Sequence, residues 1–146
     1  MDRVLIIIIL FIIMYIDIKK MYIPNGVNLI LMGLALYNKG SSFFSIENSL
    51  LGMGVYTLPL LLIYGYGSDL MKKEIFGFGD IKLLLSIGYI LGYSDFYELY
   101  IYYMISFGLA SVVGLVLYIF KRDRNRELPF SPYLIISFFY LWVVRI

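Results

Sequence analysis

The sequence contains no cysteine and no histidine. Without cysteine there is no disulfide scaffold, thiol nucleophile, thiolate metal site or iron–sulfur cluster. Without histidine there is no imidazole general base, Ser-His pair, zincin motif or histidine-ligated haem. Charge is scarce as well. Asp, Glu, Lys and Arg make up 15% of the residues, against about 25% in an average soluble domain. Any acid–base chemistry must therefore fall to Asp, Glu, Lys or Tyr. A formal net charge of +2 is too small to point to a nucleic-acid partner.

What the chain has in abundance is apolar surface. Of its 146 residues, 62% are hydrophobic, and the mean hydropathy is +0.87. A chain this small has too high a surface-to-volume ratio to hide that much from water, so lipid must replace much of the solvent. One spanning helix takes about 20 residues, which leaves room for no separate soluble domain. The reading is a single membrane-embedded domain over residues 1–146.

Six apolar stretches run over 4–18, 26–37, 46–66, 81–93, 97–120 and 129–144. They lack barrel-type alternation, and backbone groups in lipid must be bonded internally. The expected fold is an all-α, polytopic bundle of about six transmembrane helices. The second and fourth stretches are short, and span only with flanking interfacial residues or a locally thinned bilayer. The first is followed by Asp17-Ile18-Lys19-Lys20 rather than a small-residue cleavage site, so it reads as a span and not as a signal peptide.

The loops set the topology. Lys19, Lys20, Lys72, Lys73, Lys82, Lys121, Arg122, Arg124 and Arg126 fall on one side, and Arg3, Lys39 and Arg145 on the other. The positive-inside rule places the first group in the cytoplasm and both termini outside. Tyr15, Tyr22, Tyr37, Tyr64, Tyr66, Tyr93, Tyr97 and Tyr133 lie near span ends and read as an interfacial belt. Gly33, Gly52, Gly54, Gly88, Gly92, Gly108 and Gly114 are candidates for close helix approach.

Charges beside lipid need a reason. Asp17 ends the first stretch, and six residues later Ile23-Pro24-Asn25 opens the second. Proline suits a first helical turn, where its missing N–H is no loss. The plain alternative is an ordinary interfacial aspartate beside two lysines. Asp80 closes Gly77-Phe78-Gly79-Asp80 and is followed by Ile81-Lys82. The two glycines permit an unusual backbone and the close approach of another segment, while a simple helix N-cap is the alternative for Asp80.

Both carboxylates fall on the same membrane side. If the first and fourth spans pack together, the two share one site. Close carboxylates do not both ionise cheaply and hold one proton between them. Such a pair activates a water and protonates a carbonyl, with no histidine, cysteine or metal. The helix ends place more of the negative charge on Asp80, at a helix N-terminus, and more of the proton on Asp17, at a C-terminus.

Asp17, Ile23-Pro24-Asn25 and Gly77-Phe78-Gly79-Asp80-Ile81-Lys82-Leu83, in this order, resemble the type IV prepilin peptidases, membrane-embedded aspartic proteases of the Gly-x-Gly-Asp kind. Leu128-Pro129-Phe130-Ser131-Pro132-Tyr133 looks like that family's Pro-Phe-Gly-Pro-Phe segment opening the last span, with Ser131 in place of Gly. That segment is not the acid pair, so the replacement is expected to leave the chemistry alone. The resemblance implies that Asp17 and Asp80 are the catalytic aspartates, framed by Gly77, Gly79 and Lys82, with no cofactor and no metal. It implies a prepilin or pseudopilin-like substrate, cut behind a short basic leader at the cytoplasmic membrane face.

In that picture a groove between spans takes the substrate's apolar helix. Attraction of the leader's basic residues by Asp69 and Glu74 is opposed by the neighbouring Lys72 and Lys73, and a solvated loop is the simpler reading for them. Long bacterial members carry Cys-x-x-Cys pairs linked to N-methylation. A cysteine-free chain opening on the first core span is expected to be a peptidase-only form without methyltransferase activity. Three other readings were weighed. Presenilin-like proteases place a Tyr-Asp pair one span before Gly-x-Gly-Asp, whereas here Ile16 precedes Asp17 and two further spans intervene. A Mg²⁺-dependent lipid-headgroup transferase wants clustered carboxylates, and the chain has no Asp-x-x-Asp pair. A non-enzymatic transport or assembly protein with structural aspartates is the remaining alternative.

Overall fold

Three of the four prolines lie at helix boundaries. Pro24 and Pro129 stand in linkers and Pro132 in a first helical turn, where a missing N–H breaks no bond. A computed structural model describes residues 2–39, 43–71, 77–121 and 128–145. These form six helices: α1 (Asp2–Lys20), α2 (Asn25–Lys39), α3 (Phe43–Met71), α4 (Phe78–Leu91), α5 (Phe96–Lys121) and α6 (Ser131–Val144). No strand occurs among the described residues. Each apolar stretch corresponds to one helix. The fourth stops earlier than the hydropathy suggested, because Gly92 takes a left-handed φ of 68° and its N–H closes on Gly88 O.

α4 is the hub. It packs on α2, α3 and α6, while α1 leans on α2 and α6, and α5 on α6. Most of α4 is buried, including Leu83, Leu84 and Ile87. Its partnership with α3 rests on glycine. A Cβ added at Gly52 would lie 2.5 Å from Gly88 O, and one at Gly88 would lie 2.6 Å from Gly52 O. The two backbones therefore touch, as small residues allow between apolar helices. Gly33, Gly54 and Gly108 face open space instead, so the expectation of close approach does not hold for them.

α2 is tied to α4 by a buried bond from Ser86 Oγ to Asn28 Oδ1, 2.9 Å long. Satisfying each other's polar groups lets both enter the interior without leaving a bare donor or acceptor. At the far end of the bundle, Arg145 pairs with Glu98 and donates to Leu91 O, joining the ends of α4, α5 and α6.

The outer surface is apolar. Phe11, Ile12, Leu29, Ile30, Leu58, Leu61, Val112 and Leu115 are all exposed. Among the described residues, two helices are long and apolar enough by length and composition to cross a membrane, over Phe44–Gly67 and Phe96–Phe120. α2 and α4, with 15 and 14 residues, reach only about 22 Å at 1.5 Å per residue. Six clear spans are thus more than helix length alone establishes. Of the expected tyrosine belt, Tyr15, Tyr22, Tyr37, Tyr66 and Tyr97 are exposed, but Tyr133 is buried beside Phe130. Lys72, Lys73, Glu74, Arg122, Arg124 and Arg126 lie outside the described residues, as do the side chains of Lys39, Asp69 and Lys121.

Candidate active site

Four of the helices and the linkers beside them meet around one cavity of about 740 Å³. α1 contributes Asp17 at its C-terminal end, followed by Met21 and Tyr22 from the linker. α2 contributes Asn25, α4 brings Asp80 and Lys82, and α5 brings Phe107, Ala110 and Ser111. The linker before α6 adds Leu128, Pro129 and Phe130. Cavities of this size hold peptide- or drug-sized ligands. Met21, Tyr22 and Phe78 are exposed at the rim, whereas Asp17 and Asp80 are buried inside.

The linker geometry explains how Asp17 comes to face inward. Met21 adopts a left-handed φ of 49°, and its N–H closes on Asp17 O at 2.8 Å. This terminates α1 as a left-handed cap does, with strain because Met has a Cβ. The chain then turns through Ile23-Pro24 into α2. Ile23 is buried against Gly79, where an added Cβ would lie 3.1 Å from the Ile23 Cβ. Gly79 is therefore the point where the two motifs touch.

Gly77 plays a different part. Its φ of −68° is ordinary, and a Cβ there would meet Asp80 Oδ2 only at 3.6 Å. The unusual backbone expected at both glycines is absent from Gly77. It serves as the extended N-cap of α4, with no side-chain cap. Asp80 is not the cap either, since it is the third residue of the helix.

Lys82 lines the cavity wall. Its ammonium donates to Asn25 Oδ1 at 3.0 Å and lies 5.0 Å from the Phe78 ring centroid. It thereby ties the Ile-Pro-Asn turn to the Gly-x-Gly-Asp turn. Among the described residues neither aspartate forms an ion pair, so Asp17 is not neutralised by Lys19 or Lys20. Among the described residues no three carboxylates gather.

α1 and α4 are not principal packing partners. α2 and α6 bridge them, and the two aspartates meet only at the helix ends. Asp17 accepts from Ser131, whose Oγ lies 2.6 Å and whose backbone N lies 3.3 Å from Asp17 Oδ2. Asp80 Oδ1 is buried with no hydrogen-bond partner. Asp80 precedes the fourth apolar stretch. Burial first, and the nearby Asp17 charge second, push its carboxyl up from 3.8 to about 7. Burial and the Asp17 charge thus work against the anion at Asp80, opposite to what its own helix end alone favours. Asp17 has the donors an ionised acceptor needs, and Asp80 has the setting of a neutral acid.

Sequence reasoning set Ser131 apart from the acid pair. The structure brings its hydroxyl onto Asp17. The cavity-lining residues of α5 were also missed, because nothing in a uniformly apolar helix marks one face as a wall.

Residues 4–119 match the type IV leader peptidase family. The prepilin leader peptidase/N-methyltransferase of Aeromonas hydrophila is 31% identical over 125 residues, covering 84% of this chain and 42% of that protein. The protein of the same name from Stutzerimonas stutzeri is 32% identical over 124 residues, 84% of this chain and 42% of its own. That of Vibrio cholerae is 30% identical over 135 residues, 89% of this chain and 50% of its own. The chain spans half or less of the length of these relatives. No solved structure matches it. The match runs over most of the sequence and takes in both aspartate turns, and the chain belongs to the type IV leader peptidase family.

Proposed function

We propose that this chain is an aspartic endopeptidase that removes the short basic leader from prepilin-like or pseudopilin-like precursors. Asp17 and Asp80 are its catalytic pair, and the bundle crosses the cell membrane six times with the pair at the cytoplasmic face. The observation that carries this reading is the burial of two carboxylates in one peptide-sized cavity, with the charge of one felt by the other. An apolar exterior supports the membrane setting. Lys19, Lys20 and Lys82 at the cavity end support a cytoplasmic face.

The chemistry follows from one proton shared between two acids. A water lies between the carboxyl groups. The ionised one takes a proton from it as the water oxygen bonds to the scissile carbonyl carbon. The neutral one gives its proton to the carbonyl oxygen, which forms a gem-diol. The carboxyl protonated in the first step then passes that proton to the amide nitrogen as the C–N bond breaks. A gem-diol hydroxyl returns a proton to the other carboxylate, and the pair is restored. The relatives' names also carry N-methyl transfer; two carboxylates, a lysine and an asparagine suit hydrolysis, and the proposal is confined to it.

Co-expression with prepilins from the same genome tests the reading, with leader loss followed by mass. Wild type is expected to remove the leader, and Asp17→Asn and Asp80→Asn each to lose cleavage by about 10³-fold. Undiminished cleavage by either variant makes that aspartate structural and sinks the mechanism.

A further inference from the structure

At the start of α6, three features come together. Pro129 and Pro132 have no N–H to offer. Tyr133 N and Leu134 N both turn back to Phe130 O. That leaves the Ser131 amide facing outward from the helix start, and it points at Asp17 Oδ2. The Ser131 hydroxyl reaches the same oxygen and makes the shorter bond of the two. Ser131 is completely buried, so no water competes for Asp17 from that side.

We infer that Ser131 is a positioning residue of the dyad: its hydroxyl and amide hold Asp17 as the carboxylate and so leave the shared proton on Asp80. The inference rests on the peptidase reading and deepens it. Two donors on one oxygen favour the charged form of an acid, and the N-terminus of α6 adds its dipole in the same sense. Asp80 has the N-terminus of its own helix but no such pair of donors, and its Oδ1 is buried without a partner. Asp17 is then the base that takes the proton from water, and Asp80 the acid that protonates the carbonyl oxygen.

Among the described residues no cation pairs with Asp17. On the elements around Asp17, the charged and titratable groups at this end are Asp80 and Lys82 of α4, Tyr133 of α6, and Lys19, Lys20 and Tyr22 of its own segment. Lys82 is engaged by Asn25, and Lys19 lies over the Tyr15 ring. α2 and α5 present Asn25 and Ser111 to the cavity, neither of them titratable.

The test is the pH dependence of cleavage by the full chain in phospholipid nanodiscs. The substrate is a precursor with a basic leader ahead of an apolar helix. Ser131→Ala and Ser131→Gly remove the hydroxyl, Ser131→Thr keeps it, and Asp17→Asn is run beside them. In Ser131→Ala and Ser131→Gly, the acid limb, where the dyad takes up its second proton, is expected to move toward neutral pH by about one unit. Ser131→Thr is expected to keep the wild-type limb. Profiles of Ser131→Ala and Ser131→Gly that superimpose on wild type, or fall by one factor at every pH, overturn the inference. When Asp17→Asn is inactive, such profiles leave the peptidase reading standing. Cleavage by Asp17→Asn at the wild-type rate overturns both.

Discussion

Asp80 is the residue whose surroundings matter most for the chemistry. Its carboxyl is raised from 3.8 to about 7, by burial first and by Asp17 second. A raised carboxyl binds its proton more tightly in the folded chain than in the unfolded one. Folding stability from this group is therefore complete on the acid side of 3.8 and is lost as pH climbs through about 7. Cleavage is expected to decline through the same window, because the dyad then loses the proton it must donate. Rates and melting curves recorded against pH in nanodiscs check both, and a pH dependence of melting through this window that is unchanged in Asp80→Asn contradicts the assignment.

The framing glycines make a second test at this scale. Gly79→Ala presses on Ile23 and is expected to cost about 1–3 kcal/mol of stability, whereas Gly77→Ala has room and an ordinary φ. A melting comparison of the two variants decides it. Both aspartates were legible in the sequence as charges that lipid makes expensive. The contact that holds Asp17 was not, because its donor Ser131 lies 114 positions away in sequence. The helix that points at Asp17 is a third one, α6, to which neither aspartate belongs.

Among elements, the α3–α4 crossing sets how closely the central helix is held. Gly52 and Gly88 bring two backbones into contact, and neither site has space for a methyl group. Gly52→Ala and Gly88→Ala are each expected to destabilise the bundle by about 1–3 kcal/mol. Gly54→Ala, two residues further along α3 and facing open space, should leave stability unchanged. Thermal unfolding in detergent separates the three. The helices themselves were easy to read, since long apolar runs punctuated by proline and polar turns leave few alternatives. Which glycines touch a neighbour was not. All seven candidates look alike in sequence, and only the crossing geometry tells Gly52 from Gly54. The same limit hid the bridging of α1 and α4 by α2 and α6.

Taken whole, the molecule builds one polar chamber into an otherwise apolar bundle. The chamber draws on four helices, the linkers beside them and both halves of the chain, so no single segment carries it. Composition alone excluded thiol and imidazole chemistry and left carboxylates as the available acid–base groups. The fold then had to bring two of them together, and it does so at the shared end of α1 and α4. The central claim is that Asp17 and Asp80 act as one unit and not as two independent contributors. A double-mutant comparison of cleavage rates for wild type, Asp17→Asn, Asp80→Asn and the double variant measures this directly. Residues that share one proton are grossly non-additive. The account predicts that each single variant loses about as much rate as the double. Losses that multiply in the double variant, or a single variant that still cleaves at the wild-type rate, contradict it.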